Sequence, residues 1–311
     1  MISTGRSRNN RPKKGGFMKL FRAFILALGL LVLPLSPAWA EARMETFNIG
    51  EITVVALADA AGEHDIALFH GAAPELIQAL APSGKVASGI NTFLVQSAGR
   101  NILVDTGLGV AAGGSLLDSL ALLGLTPADI DVILITHMHF DHTGGLVADN
   151  QAVFPKAVLK IGNLEQAFWL DPAATDPTNS PYVDFGPAKL VGEVYKDRLQ
   201  GFEFGEEVGP GIIAWEAVGH TPGHTAFLIE SGGQKLLIWG DLIHGMALQM
   251  PHPEIYPDYD YDPVAATAAR KAVLERVSAN NIPVAGMHIP FPGVGYVNRA
   301  EQGYSFTPGL N

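Results

Sequence analysis

The chain of 311 residues contains no cysteine. It can therefore form no disulfide bond, and it has no thiolate that could act as a nucleophile or as a metal ligand. Any metal ion bound by its side chains must be held by histidine and carboxylate groups. The sequence supplies 10 histidines and 31 acidic residues for this purpose.

Charged residues are also scarce, at 16% of the chain, whereas 48% of the residues are hydrophobic and 35 are glycine. This composition excludes a disordered or fibrous protein and is typical of a loop-rich α/β enzyme. No linker is evident between residues 41 and 311. We therefore predict a single domain over that range.

The first 40 residues contain basic side chains but no acidic ones, and residues 23–35 form an apolar run. Ala38 and Ala40 then occupy the small positions of an A-x-A cleavage site. This order is typical of a signal peptide, so we predict cleavage after Ala40 and a periplasmic or secreted protein. An uncleaved anchor is the alternative, although the run is short for a span of about 20 residues. Met18 is a second candidate start.

Cleavage would remove seven of the 20 basic residues and leave 13 against 31 acidic ones. So acidic a protein is a poor candidate for binding nucleic acid by neutralising phosphates. The expected partner is a small-molecule substrate, with no stable membrane association after cleavage. The sequence leaves a homodimer open.

Apolar runs bounded by turn residues predict strands at 52–57, 92–96, 101–104, 132–135, 157–161, 212–218, 225–229, 235–239 and 282–286. Helices are predicted at 74–81, 116–123, 164–170 and 263–279. The remainder of segment 60–88 and the whole of segment 171–189 are predicted as loops, with a helix or turn after the second. Hairpins and interspersed helices in both halves predict an α/β fold with helix/sheet/sheet/helix layers.

The most informative segment, Thr-His-Met-His-Phe-Asp-His, begins where the predicted strand 132–135 ends. Side chains alternate along a strand, so His137 and His139 point the same way, and Asp141 and His142 come from the following turn. A polar turn could explain one such histidine. Four imidazole and carboxylate groups at one strand end indicate a metal site.

Three later segments also place a metal-binding side chain after an apolar strand. These side chains are His220 in Gly-His-Thr-Pro-Gly-His, Asp241 in Trp-Gly-Asp and His288 in Gly-Met-His. Each segment alone is a weak signal. Together with the first motif they resemble the metallo-β-lactamase superfamily, over roughly residues 48–300. Segments 239–244 and 286–295 are similar to its methyl parathion hydrolase branch.

The resemblance implies a four-layer αββα sandwich that holds two divalent metal ions. Zinc is expected, and manganese, cobalt or iron are the alternatives. The implied ligands of the first metal are His137, His139 and His220. Those of the second metal are Asp141, His142 and His288. Asp241 would bridge both ions, and Asp105 matches the structural aspartate beneath the site.

The implied reaction is hydrolysis of a neutral ester by a hydroxide shared between the metals, with Asp141 and Asp241 as the catalytic residues. An organophosphate triester or a lactone or aryl ester is the expected substrate. A β-lactamase or an acyl-homoserine lactonase on the same metal site is the alternative. A diiron redox protein is disfavoured by His139, because such relatives typically have glutamate there. A non-catalytic binding protein is expected to have lost ligands, and none is lost.

The remaining histidines and nearby aromatic residues have less specific interpretations. We expect His224 to support a ligand or to lie at the surface, and His244 to orient a ligand or lie near the pocket. Three other histidines are expected at the surface or in loops: His64, His70 and His252. The side chains expected to line an aromatic pocket mouth are Phe140, Phe168, Trp169, Phe291 and Tyr296.

Overall fold

The computed structural model describes residues 43–176 and 180–310. The signal peptide predicted at residues 1–40 lies outside these residues, so its cleavage after Ala40 stays a prediction, as does the single domain over 41–311. Within the described ranges, no helix has both the length and the apolar character needed to cross a membrane.

The strands and helices alternate along the chain. The strands of the first half are β1 (Met44–Ile49), β2 (Ile52–Asp65), β3 (Phe69–His70), β4 (Lys85–Ser97), β5 (Arg100–Val104), β6 (Val132–Ile135), β7 (Val147–Ala148), β8 (Gln151–Ala152), β9 (Val158–Gly162) and β10 (Leu199–Phe202). Those of the second half are β11 (Glu207–Gly209), β12 (Ile212–Glu216), β13 (Thr225–Ser231), β14 (Gln234–Ile238), β15 (Tyr256–Pro257), β16 (Val284–Ala285), β17 (Val294–Arg299) and β18 (Tyr304–Pro308). The α-helices are α1 (Pro74–Leu80), α2 (Leu116–Leu122), α3 (Phe140–Thr143), α4 (Asn163–Trp169), α5 (Phe185–Tyr195), α6 (Met246–Gln249) and α7 (Pro263–Ala279).

Two seven-stranded sheets form the centre of the fold. The first has the order β1-β2-β4-β5-β6-β9-β10, and the second has the order β11-β12-β13-β14-β16-β17-β18. In the second sheet, β12 and β14 are both antiparallel to β13, and β16 is parallel to β14. The carboxyl ends of β12, β14 and β16 therefore lie at the same edge.

Three hydrophobic clusters fill the spaces between the layers. Between the sheets, inward side chains such as Phe93 and Leu134 pack with Phe227 and Ile238. The outer face of the first sheet packs against α2, α4 and α5. The outer face of the second packs against α7. This arrangement confirms the predicted helix/sheet/sheet/helix layers, because each sheet buries one face against its partner and the other against helices.

Several predicted boundaries are wrong. Strand β2 continues to Asp65 and pairs with β4 down to Lys85, so much of the segment predicted as a loop over 60–88 is a long hairpin arm. The arm's Ala and Gly residues have low β propensity, and pairing overrides it. Helix α5 begins at Phe185, inside the loop predicted over 171–189. The strand predicted at 282–286 is reduced to Val284–Ala285.

Candidate metal centre

All seven predicted ligands lie at the carboxyl ends of strands from both sheets. His137 and His139 follow β6, and His220 follows β12. Asp241 follows β14 and His288 follows β16. Asp141 and His142 belong to the short helix α3 that begins after His139. Because β12, β14 and β16 run in the same direction, the side chains that follow them meet at one edge of the second sheet although they are distant in sequence.

The first predicted ligand group is compact. The Nδ1 atom of His139 lies 3.0 Å from Nε2 of His137 and 3.0 Å from Nε2 of His220. The Oδ2 atom of Asp241 is 3.5 Å from Nε2 of His137 and 3.3 Å from Nε2 of His220. Nitrogens bound about 2.1 Å from a tetrahedral zinc would lie about 3.4 Å apart, so these atoms fit one ion.

The second predicted group adjoins the first through Asp241. The Nε2 atom of His288 lies 3.3 Å from Oδ2 of Asp141 and 3.0 Å from Oδ2 of Asp241. The Nε2 atom of His142 lies 3.7 Å from Oδ1 of Asp141 and 3.2 Å from Oδ1 of Asp241. Asp241 therefore presents an oxygen to each group, as the bridging assignment requires.

The donor atoms of the two groups fit metal ions. Nε2 of His142 and Oδ1 of Asp241 are buried, and neither has a hydrogen-bond partner of suitable geometry. Buried polar atoms without a partner are costly, and a cation between them would satisfy both. The hard and borderline nitrogen and oxygen donors suit zinc and similar divalent ions. The groups could therefore hold two ions, and the role of each ligand stays a prediction.

In His142 and His288, the ring nitrogen that faces away from the site forms a hydrogen bond that holds the ring. Nδ1 of His142 hydrogen-bonds Oδ2 of Asp105 at 2.7 Å, and Nδ1 of His288 hydrogen-bonds the Gly89 carbonyl at 2.9 Å. Asp105 also accepts hydrogen bonds from the backbone N–H and the hydroxyl of Thr136. Asp105 thus lies beneath the site, where the resemblance puts it. Anchors of this kind orient metal-binding imidazoles.

His224 and His244 both contact Asp241. Nε2 of His224 accepts the Asp241 backbone N–H at 2.9 Å, and its Nδ1 hydrogen-bonds the Ala217 carbonyl at 2.8 Å. His224 is buried, so the surface alternative is wrong and the supporting role is the one observed. Nε2 of His244 lies 3.0 Å from Oδ2 of Asp241, but its Nδ1 is buried without a partner. His244 therefore lacks the rear anchor of His142 and His288.

Electrostatics prepare these groups to bind cations. Burial lowers the pKa of His137, His139 and His244 well below the usual value, which keeps the rings neutral. Although burial opposes it, the imidazoles of His142 and His288 hold the pKa of Asp241 well below its usual range. Although burial opposes it, the carboxylates of Asp241 and Asp141 raise the pKa of His142 and His288, so a bound cation would take the place of the protons that these rings attract.

Comparisons with known proteins agree with this geometry. A profile of the metallo-β-lactamase superfamily matches residues 86–281, which is more than half of the chain. The chain belongs to the metallo-β-lactamase superfamily. Metallo-beta-lactamase domain-containing protein 1 of Mus musculus is 26% identical over 235 residues, covering 74% of this chain and 75% of that protein.

Two solved structures of this superfamily fold align over nearly their whole length. AidC, a dizinc quorum-quenching lactonase in complex with a product, is 27% identical with a TM-score of 0.80, covering 87% of this chain and 98% of its own. The hydrolase AbOPH is 28% identical with a TM-score of 0.79, covering 87% and 99%. These matches confirm the predicted superfamily and its hydrolase fold. They do not show whether the chain belongs to the methyl parathion hydrolase branch, which stays a prediction.

A cavity of about 270 Å³ opens over the predicted ligands. Apart from those ligands, it is lined by His64, Phe140, Tyr182, His244 and Tyr259. Phe140 lines it as predicted and is 49% exposed. The hydroxyl of Tyr259 lies 3.4 Å from Nδ1 of His64.

Four of the predicted aromatic residues do not line this cavity. Trp169 is buried beneath His139, with its ring centre 5.7 Å from that imidazole. Phe168 packs on Phe185 and Tyr261. Phe291 lines a separate depression beside Asp59, and Tyr296 lines a surface groove with Trp215. Nearness in sequence to a ligand motif was a poor guide to the cavity lining, because two of these rings pack elsewhere in the fold and the other two line separate depressions.

Of the three remaining histidines, His64 corrects the sequence interpretation, whereas His252 lies in a loop, as one alternative predicted, but is buried. His64 is half-buried and lines the cavity, because the hairpin arm of β2 extends to the site. His252 is buried and hydrogen-bonds Glu254 at 3.0 Å through Nδ1. His70 is exposed and pairs with Asp258, as a surface histidine does.

Glu165 on α4 is a structural link that the sequence interpretation missed. Its buried carboxylate accepts the backbone N–H of Met138 and the indole N–H of Trp169 on Oε1, at 2.9 and 2.6 Å. On Oε2 it accepts the hydroxyl of Thr221 and the backbone N–H of Gly223, both at 2.8 Å. It thereby ties the loop of His137 and His139 to the loop of His220. The sequence signal was only a single acidic residue in a short helix.

Proposed function

We propose that this protein is an exported hydrolase with two metal ions that cleaves neutral ester-type substrates, either organophosphate triesters or lactones and aryl esters, as in the methyl parathion hydrolase branch. The observation that carries the proposal is the meeting of two ligand groups at Asp241 beneath an open cavity. The similarity over nearly full length to a dizinc lactonase supports it.

The first ion would be held by His137, His139 and His220, and the second by Asp141, His142 and His288. When bound, a pair of divalent cations supplies Lewis acidity and a water activated for attack at neutral pH. Asp141 is the most accessible carboxylate of the centre, with 30% of its side chain exposed. It is therefore placed to accept a hydrogen bond from the attacking water as well as to bind metal.

The cavity walls favour a small and uncharged substrate. Phe140, Tyr182 and Tyr259 offer aromatic surface to an apolar acyl or aryl group. Of the residues that the structure describes, no lysine or arginine lines the cavity, so a substrate carboxylate or phosphate monoester would find no cationic side chain. This lining favours neutral esters over the carboxylate-bearing β-lactams.

A panel of substrates would test this proposal. We expect the metal-loaded protein to hydrolyse a paraoxon-type triester, an acyl-homoserine lactone or an aryl acetate at least about 100-fold faster, by kcat/KM, than a chromogenic cephalosporin, because the cavity offers aromatic walls and, among the described residues, no cationic side chain to a β-lactam carboxylate. Initial rates measured side by side, with chelated protein as the control, give the comparison. Turnover of the cephalosporin alone, or of none of the four by metal-loaded protein, would contradict the proposal.

Export is supported by the basic and apolar pattern of residues 1–40 and by the A-x-A site at Ala38 and Ala40. We expect protein expressed from the full sequence in a bacterium to leave the cytoplasm and to begin at Glu41. N-terminal sequencing of the periplasmic or medium fraction measures this. Replacing Ala40 by Phe should block cleavage. If the protein with the unaltered sequence stays uncleaved in the cytoplasm, the proposal of export is contradicted.

A further inference from the structure

We propose that Asp260 and Arg270 form a positioning pair that sets the affinity of the first metal ion by fixing the ring of His220. This inference rests on the proposed function, because it takes His220 as a metal ligand. It goes beyond the assignment of the ligands, because it says which residues determine how tightly the first ion is bound.

Asp260 contacts His220 directly. Oδ1 of Asp260 lies 2.8 Å from Nδ1 of His220, and the carboxylate side chain is fully buried. With Nδ1–H donated to this oxygen, the lone pair of Nε2 points to His139 and Asp241. A carboxylate behind a metal-binding imidazole fixes its tautomer and orientation and raises its basicity.

The backbone beside Asp260 holds His220 as well. The N–H of Tyr261 donates to the His220 carbonyl at 3.1 Å, and the N–H of Asp262 donates to the Gly219 carbonyl at 2.9 Å. Gly219 has a φ of 131°, and a side chain there would collide with the backbone of α7. The ring and the main chain of His220 are thus fixed by one short segment, which leaves the ligand little freedom to reorient.

Arg270 completes the pair from the buried face of α7. Its Nη2 lies 2.9 Å from Oδ2 of Asp260, and both side chains are buried. A buried carboxylate without this partner would carry a large desolvation cost. The same guanidinium donates to the carbonyls of Leu242, Pro253 and Ile255 at 2.7, 3.1 and 3.0 Å.

The contact with Leu242 gives Arg270 a second effect on the centre. Leu242 directly follows Asp241, so one guanidinium holds both the segment behind His220 and the loop that carries Asp241. Arginine forms such a planar set of hydrogen bonds, and lysine cannot reproduce it. The other metal group has its own carboxylate, because Asp105 backs His142 at 2.7 Å. The two ions should therefore respond to different substitutions.

Titration of the metal-free full chain with Co²⁺, read by visible absorbance and by competition with a chelator, tests the inference. We expect Asp260→Asn to weaken one ion by about 10–100-fold and to leave the other within about 3-fold. His220→Ala identifies the affected ion, since it should remove the same part of the cobalt spectrum. Asp105→Asn, the matched control, should weaken the other ion.

Arg270→Lys keeps a cation beside Asp260 and tests the pair should Asp260→Asn fail to fold. We expect it to weaken the same ion by about 10-fold and the other ion, which shares Asp241, by clearly less, with far-ultraviolet circular dichroism unchanged. Wild-type affinity for both ions in either folded variant, or equal weakening of both ions, would overturn the inference and leave the proposed function standing. A wild-type protein that binds no Co²⁺ would overturn both.

Discussion

Replacing Asp241 by asparagine should lower kcat/KM by at least about 1,000-fold, because losing the ions would remove about 4 kcal/mol of transition-state stabilisation. Oδ2 of Asp241 lies within 3.5 Å of Nε2 atoms from four histidines, and Oδ1 lies 3.2 Å from Nε2 of His142. Asparagine keeps the shape of the side chain but removes the charge. It also directs an amide N–H₂ towards atoms that should face a cation.

Two measurements on purified protein check this expectation. Elemental analysis should show less than one bound ion per Asp241→Asn chain, and initial rates should fall on every substrate that the wild type cleaves. Asp118→Asn, which changes an exposed carboxylate in the first turn of α2, is the control and should leave both values unchanged. A variant at Asp241 that keeps two ions and most of its activity would refute the bridging assignment.

Replacing Glu165 by alanine should destabilise the protein by about 4 kcal/mol, since four donors would lose a buried acceptor. For a chain of this size that loss lowers Tm by about 10 °C. Although the hydrogen bonds oppose it, burial raises the pKa of Glu165. The four donors therefore offset much of the cost of burying the group. Because three of these donors, from Met138, Thr221 and Gly223, lie in the two loops of the first metal group, the variant should also bind that ion more weakly.

Thermal unfolding of the metal-loaded protein, followed by circular dichroism, measures this effect. Glu165→Gln keeps one acceptor oxygen and should fall between the wild type and the alanine variant. Glu193→Ala is the control, because that side chain on α5 is 71% exposed and forms a surface ion pair with Lys196, which follows the helix. A change of less than about 2 °C for Glu165→Ala would show that the loops are held together by other contacts.

The ligand set could be predicted because its signal is local. His137, His139, Asp141 and His142 follow one buried strand, and strand geometry alone places the first two on one side. His220, Asp241 and His288 repeat the same position after other strands. The four layers followed from apolar runs of strand and helix length. To predict these features, it is enough to know the residues next to each motif.

The residues that hold the ligands in place could not be predicted, because their contacts join segments that are far apart in the sequence. Glu165 contacts Thr221 across 56 positions, and Asp260 contacts His220 across 40. Arg270 lies on the buried face of a helix, where a single sequence shows only an unexpected charge. His64 and Tyr259 line the cavity because distant segments pack together. Trp169 and Phe291, which lie near predicted motifs, face other layers.

Each predicted ion is shared between the two sheets. His137 and His139 come from the first sheet and His220 from the second; Asp141 and His142 likewise meet His288 from the opposite sheet. Neither half of the chain can assemble a complete coordination sphere alone. A complete coordination sphere therefore requires both halves to be docked, and an ion bound across the two sheets would slow their separation during unfolding.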